Sequence, residues 1–378
     1  MKYKKIGELT TVVTGGTPST AKAEYWDDGT IPWLQSGCCQ NCDVLNTEKY
    51  ITQVGYDNSS AKMMPVNTVM IALTGATAGK IGYLRFEACG NQSITGILPC
   101  DSLNQDYLFY YLLSQRSKIL ADCIGGAQPH ISQGYVKNMN IPVPSLKEQS
   151  NVANILSKVS KVIDSRRIEI KKLDELIKAR FVEMFGNPVI NSRKWKTEEL
   201  NSIAPISNFS GNLEDKVWLL NLDMIEPQTG RIIDYLYVSI DEVGSSTCKY
   251  DTDNVLYSKL RPYLNKVVIP DRSGYATSEL VPLRPKKSKL NRVYLAFLLR
   301  SNEFVNMINE KVAGAKMPRV SMTELKKFRV PVPPIELQNE FAEFTKQVDK
   351  SRAAIQKSID LYQELFDKLM NDYFGEGE

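Results

Sequence analysis

The chain carries the same pattern twice, and this repeat limits how it can fold. Residues 125–186 align with residues 314–375 at a constant offset without a gap, and 16 of the 62 aligned positions are identical. A repeat of this length is expected to form one structural unit per copy. More loosely, "NTVMIALTGATAGKIGYL" corresponds to "DNVLYSKLRPYLNKVVIP", which brings Lys80 close to Lys266. We therefore predict a pseudo-two-fold chain in which a globular half and a helical segment each occur twice.

The helical segments follow proline-rich stretches, "IPVP" in the first copy and "VPVPP" in the second. Apolar residues then recur at heptad spacing, namely Val152, Leu156, Val159, Ile163, Ile170, Leu173, Ile177 and Met184 in the first copy and Phe341, Val348, Ile355, Ile359, Tyr362, Phe366, Leu369 and Tyr373 in the second. Such spacing over five heptads predicts a helix that is packed along most of its length. About 38 residues at 1.5 Å per residue give roughly 57 Å. Because a globular half separates the two helices, we predict that they pack antiparallel; a helix lying across its own domain remains the alternative.

Three arginines interrupt this apolar seam: Arg166, Arg180 and Arg352. Polar residues at seam positions often fix the register of paired helices. We expect that role for them, and a DNA contact is the less favoured alternative.

The globular halves, residues 1–145 and 187–334, contain short strand patterns separated by Gly, Pro, Asn and Asp. Each half ends in a helical run, "DYLFYYLLSQRSKILA" in the first and "NRVYLAFLLRSNEFVNMI" in the second. We predict an α+β fold with a curved, mostly antiparallel sheet in each half. We predict that the two globular domains are joined by two long antiparallel coiled-coil helices, residues 146–186 and 335–378.

The stretch "LTGATAGKIGYL" resembles a phosphate-binding loop but departs from it in three ways. Thr74 stands where the first glycine is needed, Ile81 replaces the metal-binding hydroxyl, and the following run reads as a strand instead of a helix. A turn between two strands is the better interpretation.

Other catalytic patterns are also missing from the sequence. His130, the only histidine, is replaced by Arg319 in the repeat, which argues against a shared histidine mechanism. Cys38, Cys39 and Cys42 lack a second pair at zinc-binding spacing. Neither a glycine-rich cofactor loop nor an Asp/Asn-Pro-Pro-aromatic methyltransferase loop is present. We predict a chain that is not an enzyme and holds no cofactor or metal.

The overall composition is that of a folded protein with a mild positive charge. The formal net charge is +4, and the seven cysteines show no disulfide framework, which indicates a reducing cytoplasm. No apolar run is long enough to span a membrane. A net charge this small permits nucleic-acid binding only where basic residues cluster.

Basic and hydrogen-bonding side chains do cluster in the predicted turns, where they suit contacts to phosphates and base edges. The candidate DNA-binding residues are Gln35, Ser36, Lys62, Thr77, Lys80, Asn91 and Gln92 in the first half and Arg231, Lys259, Arg261, Tyr263, Lys266 and Ser278 in the second.

These patterns together resemble the specificity subunit of Type I restriction–modification systems. The resemblance covers the whole chain and includes "GGTPSTAKAEYW", "IPWLQSG", "NSSAKMMP", "LTGATAGKIGYL", "NQSITGI", "GGAQPHISQGYVKNMNIPVPSLKEQ", "FGNP" and "RVPVPPIELQNEF". The second half, with "KVWLLNLDMIEPQTG" and "KLRPYLNK", is less typical.

The resemblance implies that each globular half is a target recognition domain that reads one half of a bipartite, asymmetric double-stranded DNA site. It implies that the long helices set the gap between the half-sites. It also implies as partners two methylation subunits carrying S-adenosylmethionine and two restriction subunits carrying ATPase and nuclease activity. Two alternatives remain at this stage: a two-domain scaffold for protein partners, and a nucleotide-hydrolysing protein that uses the Lys80 loop.

Overall fold

The computed structural model describes residues 2–123, 130–211, 214–313 and 317–375. It divides into two compact units, the first formed by Met1–Arg166 with Ser358–Glu378 and the second by Arg167–Lys357. Each unit therefore combines one globular half with part of each long helix. The first residues of the aligned repeat, 125–129 and 314–316, lie outside the described residues.

The first globular half contains ten strands and five short helices among its described residues. The strands are β1 (Tyr3–Lys5), β2 (Val12–Thr14), β3 (Ile31–Leu34), β4 (Cys42–Val44), β5 (Tyr50–Ile51), β6 (Val69–Ala72), β7 (Ile81–Leu84), β8 (Cys89–Gly90), β9 (Ile94–Ile97) and β10 (Asn140–Pro142). The helices are α1 (Ile6–Leu9), α2 (Gln53–Asp57), α3 (Gln105–Ser114), α4 (Arg116–Ala121) and α5 (Gln133–Asn138), and the long helix α6 follows at Leu146–Phe185.

The second half has a similar order of elements, with eleven strands and four short α-helices among its described residues. Its strands are β11 (Thr197–Glu199), β12 (Lys216–Leu220), β13 (Leu236–Ser239), β14 (Thr247–Tyr250), β15 (Val255–Ser258), β16 (Val267–Val268), β17 (Gly274–Thr277), β18 (Leu280–Leu283), β19 (Val312–Ala313), β20 (Arg319–Val320) and β21 (Arg329–Pro331). Its helices are α7 (Leu200–Ile203), α8 (Arg292–Arg300), α9 (Asn302–Asn309) and α10 (Met322–Lys327), followed by the long helix α11 at Ile335–Phe374.

The strands form several small sheets in each half, where the sequence predicted one curved sheet. The first half has a five-stranded sheet in the order β2-β9-β6-β7-β4, a three-stranded sheet β5-β3-β8 and the pair β1-β10. The second half has β13-β12-β17-β14, β16-β15-β18, β11-β21 and β19-β20. Most pairs are antiparallel, as predicted, but β3–β8, β4–β7 and β12–β17 are parallel. Parallel pairing joins strands that are distant in sequence, so local patterns did not indicate it.

The central strands are buried on both faces, which explains why their sequences are continuously apolar. In β6, Val69 and Ile71 belong to the core that includes α3. Met70 and Ala72 point the other way and pack with Leu34 in a second core. The opposite orientations follow from the two-residue period of a strand.

In each unit the two long helices run antiparallel. In the second unit Arg180 bonds to Glu340 at 3.0 Å, and Asp174 bonds to Arg352, so the numbering rises along one helix as it falls along the other. In the first unit α3 shows the same sense. Tyr107, near the start of α3, packs on Phe374, and Tyr110 packs on Phe366, so α3 and α11 run in opposite directions. Asn104, which caps the start of α3, bonds to Gln149 and Ser150 near the start of α6.

The predicted apolar seam is confirmed, since none of its sixteen positions is exposed. The interrupting Arg180 and Arg352 form ion pairs between the helices, in keeping with a role in register. The predicted helical run at the end of each globular half is present but broken into two helices, α3 with α4 and α8 with α9.

Candidate nucleic-acid interface

The stretch "LTGATAGKIGYL", which resembles a phosphate-binding loop, forms a tight turn between antiparallel strands. β6 pairs with β7, and a single 3-10 turn, Gly75–Thr77, lies between them. Gly75 and Gly79 both have left-handed backbones, with φ of 69° and 71°. The chain then continues as a strand, so no helix N-terminus is present to hold a phosphate. This contradicts the alternative of nucleotide hydrolysis through the Lys80 loop.

The second unit contains the same turn with different side chains. β15 pairs with β16 and β18 in the register in which β6 pairs with β7 and β9. The 3-10 turn here is Pro262–Leu264. Its left-handed residues are Arg261, at φ 48°, and Asn265, at φ 52°, which stand where the first turn has glycines. Lys80 and Lys266 are equivalent, as the sequence alignment indicated.

Neighbouring loops in the first unit meet this turn along one edge. The backbone N–H of Leu73 donates to Ser93 at 2.8 Å, and that of Asn91 donates to Leu34 at 2.8 Å. The Lys80 Nζ donates to Gln40 Oε1 at 2.7 Å. These bonds bring six of the predicted residues to adjacent loops: Gln35, Ser36, Thr77, Lys80, Asn91 and Gln92.

Lys62 joins the same edge through a glycine-rich loop. Gly16 donates its N–H to Gly90 at 2.8 Å, and a Cβ on Gly16 would lie 2.2 Å from the Ser60 hydroxyl. The loop that carries Lys62 therefore packs against the loop that precedes Asn91. Glycine is needed at position 16 because the two backbones approach so closely.

The second unit builds the corresponding edge with the same type of bonds. The Lys259 N–H donates to Glu279 at 3.0 Å, and the Ser278 N–H donates to Ser246 at 2.9 Å. Lys266 Nζ donates to the Leu222 carbonyl at 2.6 Å. Lys259, Arg261, Tyr263 and Ser278 therefore lie on or beside one turn.

Several predicted residues on these edges already have internal partners. Burial lowers the pKa of Lys266, whose ammonium is bonded to a backbone carbonyl. Thr77 and Gln92 bond to Thr74 and Thr17, and Asn91 accepts a bond from the Ser93 N–H. The exposed residues Gln35, Lys62, Arg261, Tyr263 and Ser278 have no hydrogen-bond or ion-pair partner for their side chains among the described residues. DNA binding by any of these residues stays a prediction.

The side chain of Arg231 contacts the long helix α6. Its guanidinium bonds to both carboxylate oxygens of Asp174 at 2.6 Å and also approaches Glu226 at 3.4 Å. Asp174, Arg231 and Arg352 line a cavity of about 680 Å³ between the domain and the helices of the second unit. This geometry gives Arg231 an internal, structural contact.

His130 and Cys39 of the first unit both have structural contacts. His130 forms a β-bridge to Thr74, and Arg319 forms the equivalent bridge to Leu260, so the two occupy one repeated position. Cys39 is fully buried. The pKa of its thiol is raised by the hydrogen bond with Cys38 and by burial. Within the described residues, no group of three or more His, Cys, Asp or Glu is placed to bind a metal.

Sequence reasoning missed an aromatic and cationic cluster in the second unit. The Arg272 guanidinium lies 4.5 Å from the Trp218 ring and 4.2 Å from the Tyr235 ring. Asp271 pairs with Arg272 at 2.8 Å, and the Trp218 and Tyr237 rings are 4.7 Å apart. These side chains come from segments far apart in the chain, so no local spacing linked them.

Comparison with known proteins identifies the family of this chain. Residues 1–175 and 220–364 match the family model described as the Type I restriction modification DNA specificity domain. The chain belongs to that family. Its two matched regions correspond to the two repeats, and the predicted resemblance is confirmed. Members of this family supply DNA specificity and are non-catalytic.

Individual relatives support the assignment over different lengths. The MjaIX specificity subunit of Methanocaldococcus jannaschii is 22% identical over 98% of this chain and 87% of its own length. The EcoR124I/EcoR124II specificity subunit of Escherichia coli is 29% identical, over 46% of this chain and 45% of its own. The match to the latter therefore spans less than half of either chain.

Solved structures share the fold. The S subunit of a Type I restriction–modification system from M. genitalium has a TM-score of 0.58 at 17% identity, covering 100% of this chain and 96% of that one. A chain from a structural study of Type I complex assembly and conformational transition has a TM-score of 0.61 at 16% identity, over 99% and 97%. The α+β fold with two repeated domains and long antiparallel helices is thus confirmed. In the described part of the chain no helix combines the length and apolarity of a membrane span.

Proposed function

We propose that this chain is the DNA-reading subunit of a Type I restriction–modification complex, with each globular half reading one half of a bipartite, asymmetric site. The observation that carries the proposal is the pair of equivalent turns. The same backbone presents Gly75 and Thr77 in one unit and Arg261 and Tyr263 in the other. Two copies of one scaffold with different residues at equivalent positions are suited to reading two different short sequences.

The long helices are proposed to set the gap between the half-sites. Two reading domains contact the same face of DNA when their half-sites are about one helical turn apart, roughly 34–36 Å or about 10 bp. Each helix is tied to its own domain by buried hydrogen bonds, which favours a fixed spacing. The expected target is two short elements separated by several unread base pairs.

The partners are proposed from family membership. Two methylation subunits would dock at the junctions between domains and helices and supply S-adenosylmethionine, and two restriction subunits would supply ATP-dependent nuclease activity. In this scheme the chain itself binds no cofactor and acts in the cytoplasm. The seven cysteines are all free thiols, which suits a reducing compartment.

The test is a genome-wide map of N6-methyladenine in a host with and without this gene, with the methylation subunit present in both. A split, asymmetric motif that is methylated only with the gene is the expected result. An unchanged map, with the chain expressed and assembled, would contradict the proposal and favour a scaffold for protein partners.

A further inference from the structure

The two equivalent turns differ at the positions where the backbone is left-handed. Glycine adopts this conformation without a steric penalty, whereas residues with a Cβ are disfavoured in it. The first turn uses Gly75 and Gly79, the expected choice. The second places Arg261 and Asn265 at these positions. We therefore expect the side chains of Arg261 and Asn265 to make contacts that offset this steric penalty.

For Asn265, these contacts lie inside the protein. The residue is buried, and its Nδ2 donates to the Arg300 carbonyl at 2.9 Å and to Gln228 Oε1 at 3.3 Å. The side chain thus anchors the turn to the end of α8. Asparagine also tolerates the left-handed region better than most residues.

Arg261 makes no comparable side-chain contact within the described part of the chain. It is exposed, and among the described residues its guanidinium has no hydrogen-bond or ion-pair partner. The neighbouring cations differ in this respect. Lys266 bonds to the Leu222 carbonyl, and Arg319 pairs with Glu279 at 3.0 Å.

The backbone beneath Arg261 is held from two sides. Its own N–H donates to the Pro318 carbonyl at 2.8 Å. From the other side, Gln228 donates its side-chain amide to the Tyr263 carbonyl at 2.9 Å and its backbone N–H to the Leu264 carbonyl at 3.0 Å. A fixed backbone that carries a planar guanidinium without a partner in the described part of the chain is pre-organised to contact a ligand outside the chain.

We propose that Arg261 is a specificity-determining residue that reads a guanine, through its O6 and N7 atoms, in the half-site of the second domain. Two parallel N–H donors match these two acceptors in the major groove, and this is the commonest specific contact of arginine with DNA. A phosphate contact carries no sequence information, so losing it would weaken binding to all sites alike, whereas losing a guanine contact affects one base pair. The inference rests on the proposed function and adds one residue and one base to it.

The test uses the full chain with its methylation subunit and compares Arg261→Gly with Arg261→Lys. Glycine suits the left-handed backbone, so R261G should have an unchanged or higher melting temperature. Discrimination at one base pair of one half-site should fall by about 10- to 100-fold, measured as methylated fractions at matched and single-mismatch sites. R261K should lose most of that discrimination as well, because a point charge lacks the planar fork.

The matched control is Asn265→Gly, which has the same backbone conformation but removes the internal bonds. It should lower the melting temperature and leave the motif unchanged. An unchanged motif in R261G would overturn the inference while the proposed function stands. So would a uniform loss of methylation in R261G that R261K restores, since that result indicates a phosphate contact. A wild-type chain that directs no split motif would overturn both.

Discussion

At the scale of single residues, one buried glutamine in each unit connects the long helix to its domain. Gln149 accepts from the Asn104 N–H at 2.8 Å and donates to the Pro144 carbonyl at 3.0 Å. Gln338, its partner in the repeat, accepts from the Asn291 N–H at 2.9 Å and donates to the Pro333 carbonyl at 2.8 Å. Both side chains are fully buried. Burial of so polar a group is tolerated because its donors and acceptors are satisfied.

Replacing Gln338 with leucine should destabilise the second unit. The change leaves the Asn291 N–H without its partner and removes the bonds to the Pro333 and Lys289 carbonyls. We expect a loss of about 2–4 kcal/mol in the free energy of unfolding, measured by urea titration. The control is Gln347→Leu at an exposed position of the same helix. Equal stability of the two variants would show that the buried amide contributes little.

The sequence alignment could identify these glutamines as identical positions but not as buried ones. A glutamine near the start of a helix is usually solvated. The bonds that decide its role come from residues more than forty positions away along the chain. The contact of Arg231 could not be predicted for the same reason, because its partner Asp174 lies on α6, 57 positions away in the sequence.

At the scale of elements, the long helices were the most predictable part of the chain. Heptad spacing indicated their extent and their packing face, because both follow from local periodicity. The aromatic anchors near the end of α6 were not predicted. Phe181 and Phe185 lie off the chosen seam and pack against Phe341 and Tyr294. Those contacts depend on the domain that covers the helices.

A polar connection between elements gives a second prediction. Asp174 accepts bonds from both Arg231 and Arg352, whose side chains are 35% and 16% exposed. Asp174→Ala would leave two partly buried guanidiniums without this carboxylate and should cost about 1–3 kcal/mol of unfolding free energy. Glu343→Ala, which removes an exposed pair with Lys346, should cost less than about 0.5 kcal/mol. Similar urea midpoints for both variants would contradict this interpretation.

At the scale of the whole molecule, the repeat explains most of what the sequence could predict. Many equivalent elements follow in a similar order in both units, and serine caps the same short helix in each, Ser132 at α5 and Ser321 at α10. The globular halves differ mainly in their outer strands. β4 pairs with β7 in the first half, and β14 pairs with β17 in the second. These strands lie in the less similar part of the repeat, so alignment could not predict them.

The proposed spacing role predicts the effect of shortening both helices. Removing residues 164–170 and 353–359 takes one heptad from equivalent places and keeps the apolar seam in phase. Each helix loses about 10 Å, which corresponds to about three base pairs along DNA. The methylated motif should then have a gap about three base pairs shorter, or methylation should be lost. Methylation that persists with the original gap would contradict the spacing role.

The central claim is that each globular half reads its own half-site, and exchanging one half tests this claim most directly. Residues 187–334 would be replaced by the corresponding domain of a relative with a different target, and N6-methyladenine would be mapped in a host that carries the methylation subunit. We predict a motif in which one half changes while the other half and the gap are retained. A motif that changes in both halves, or in neither, would contradict the account.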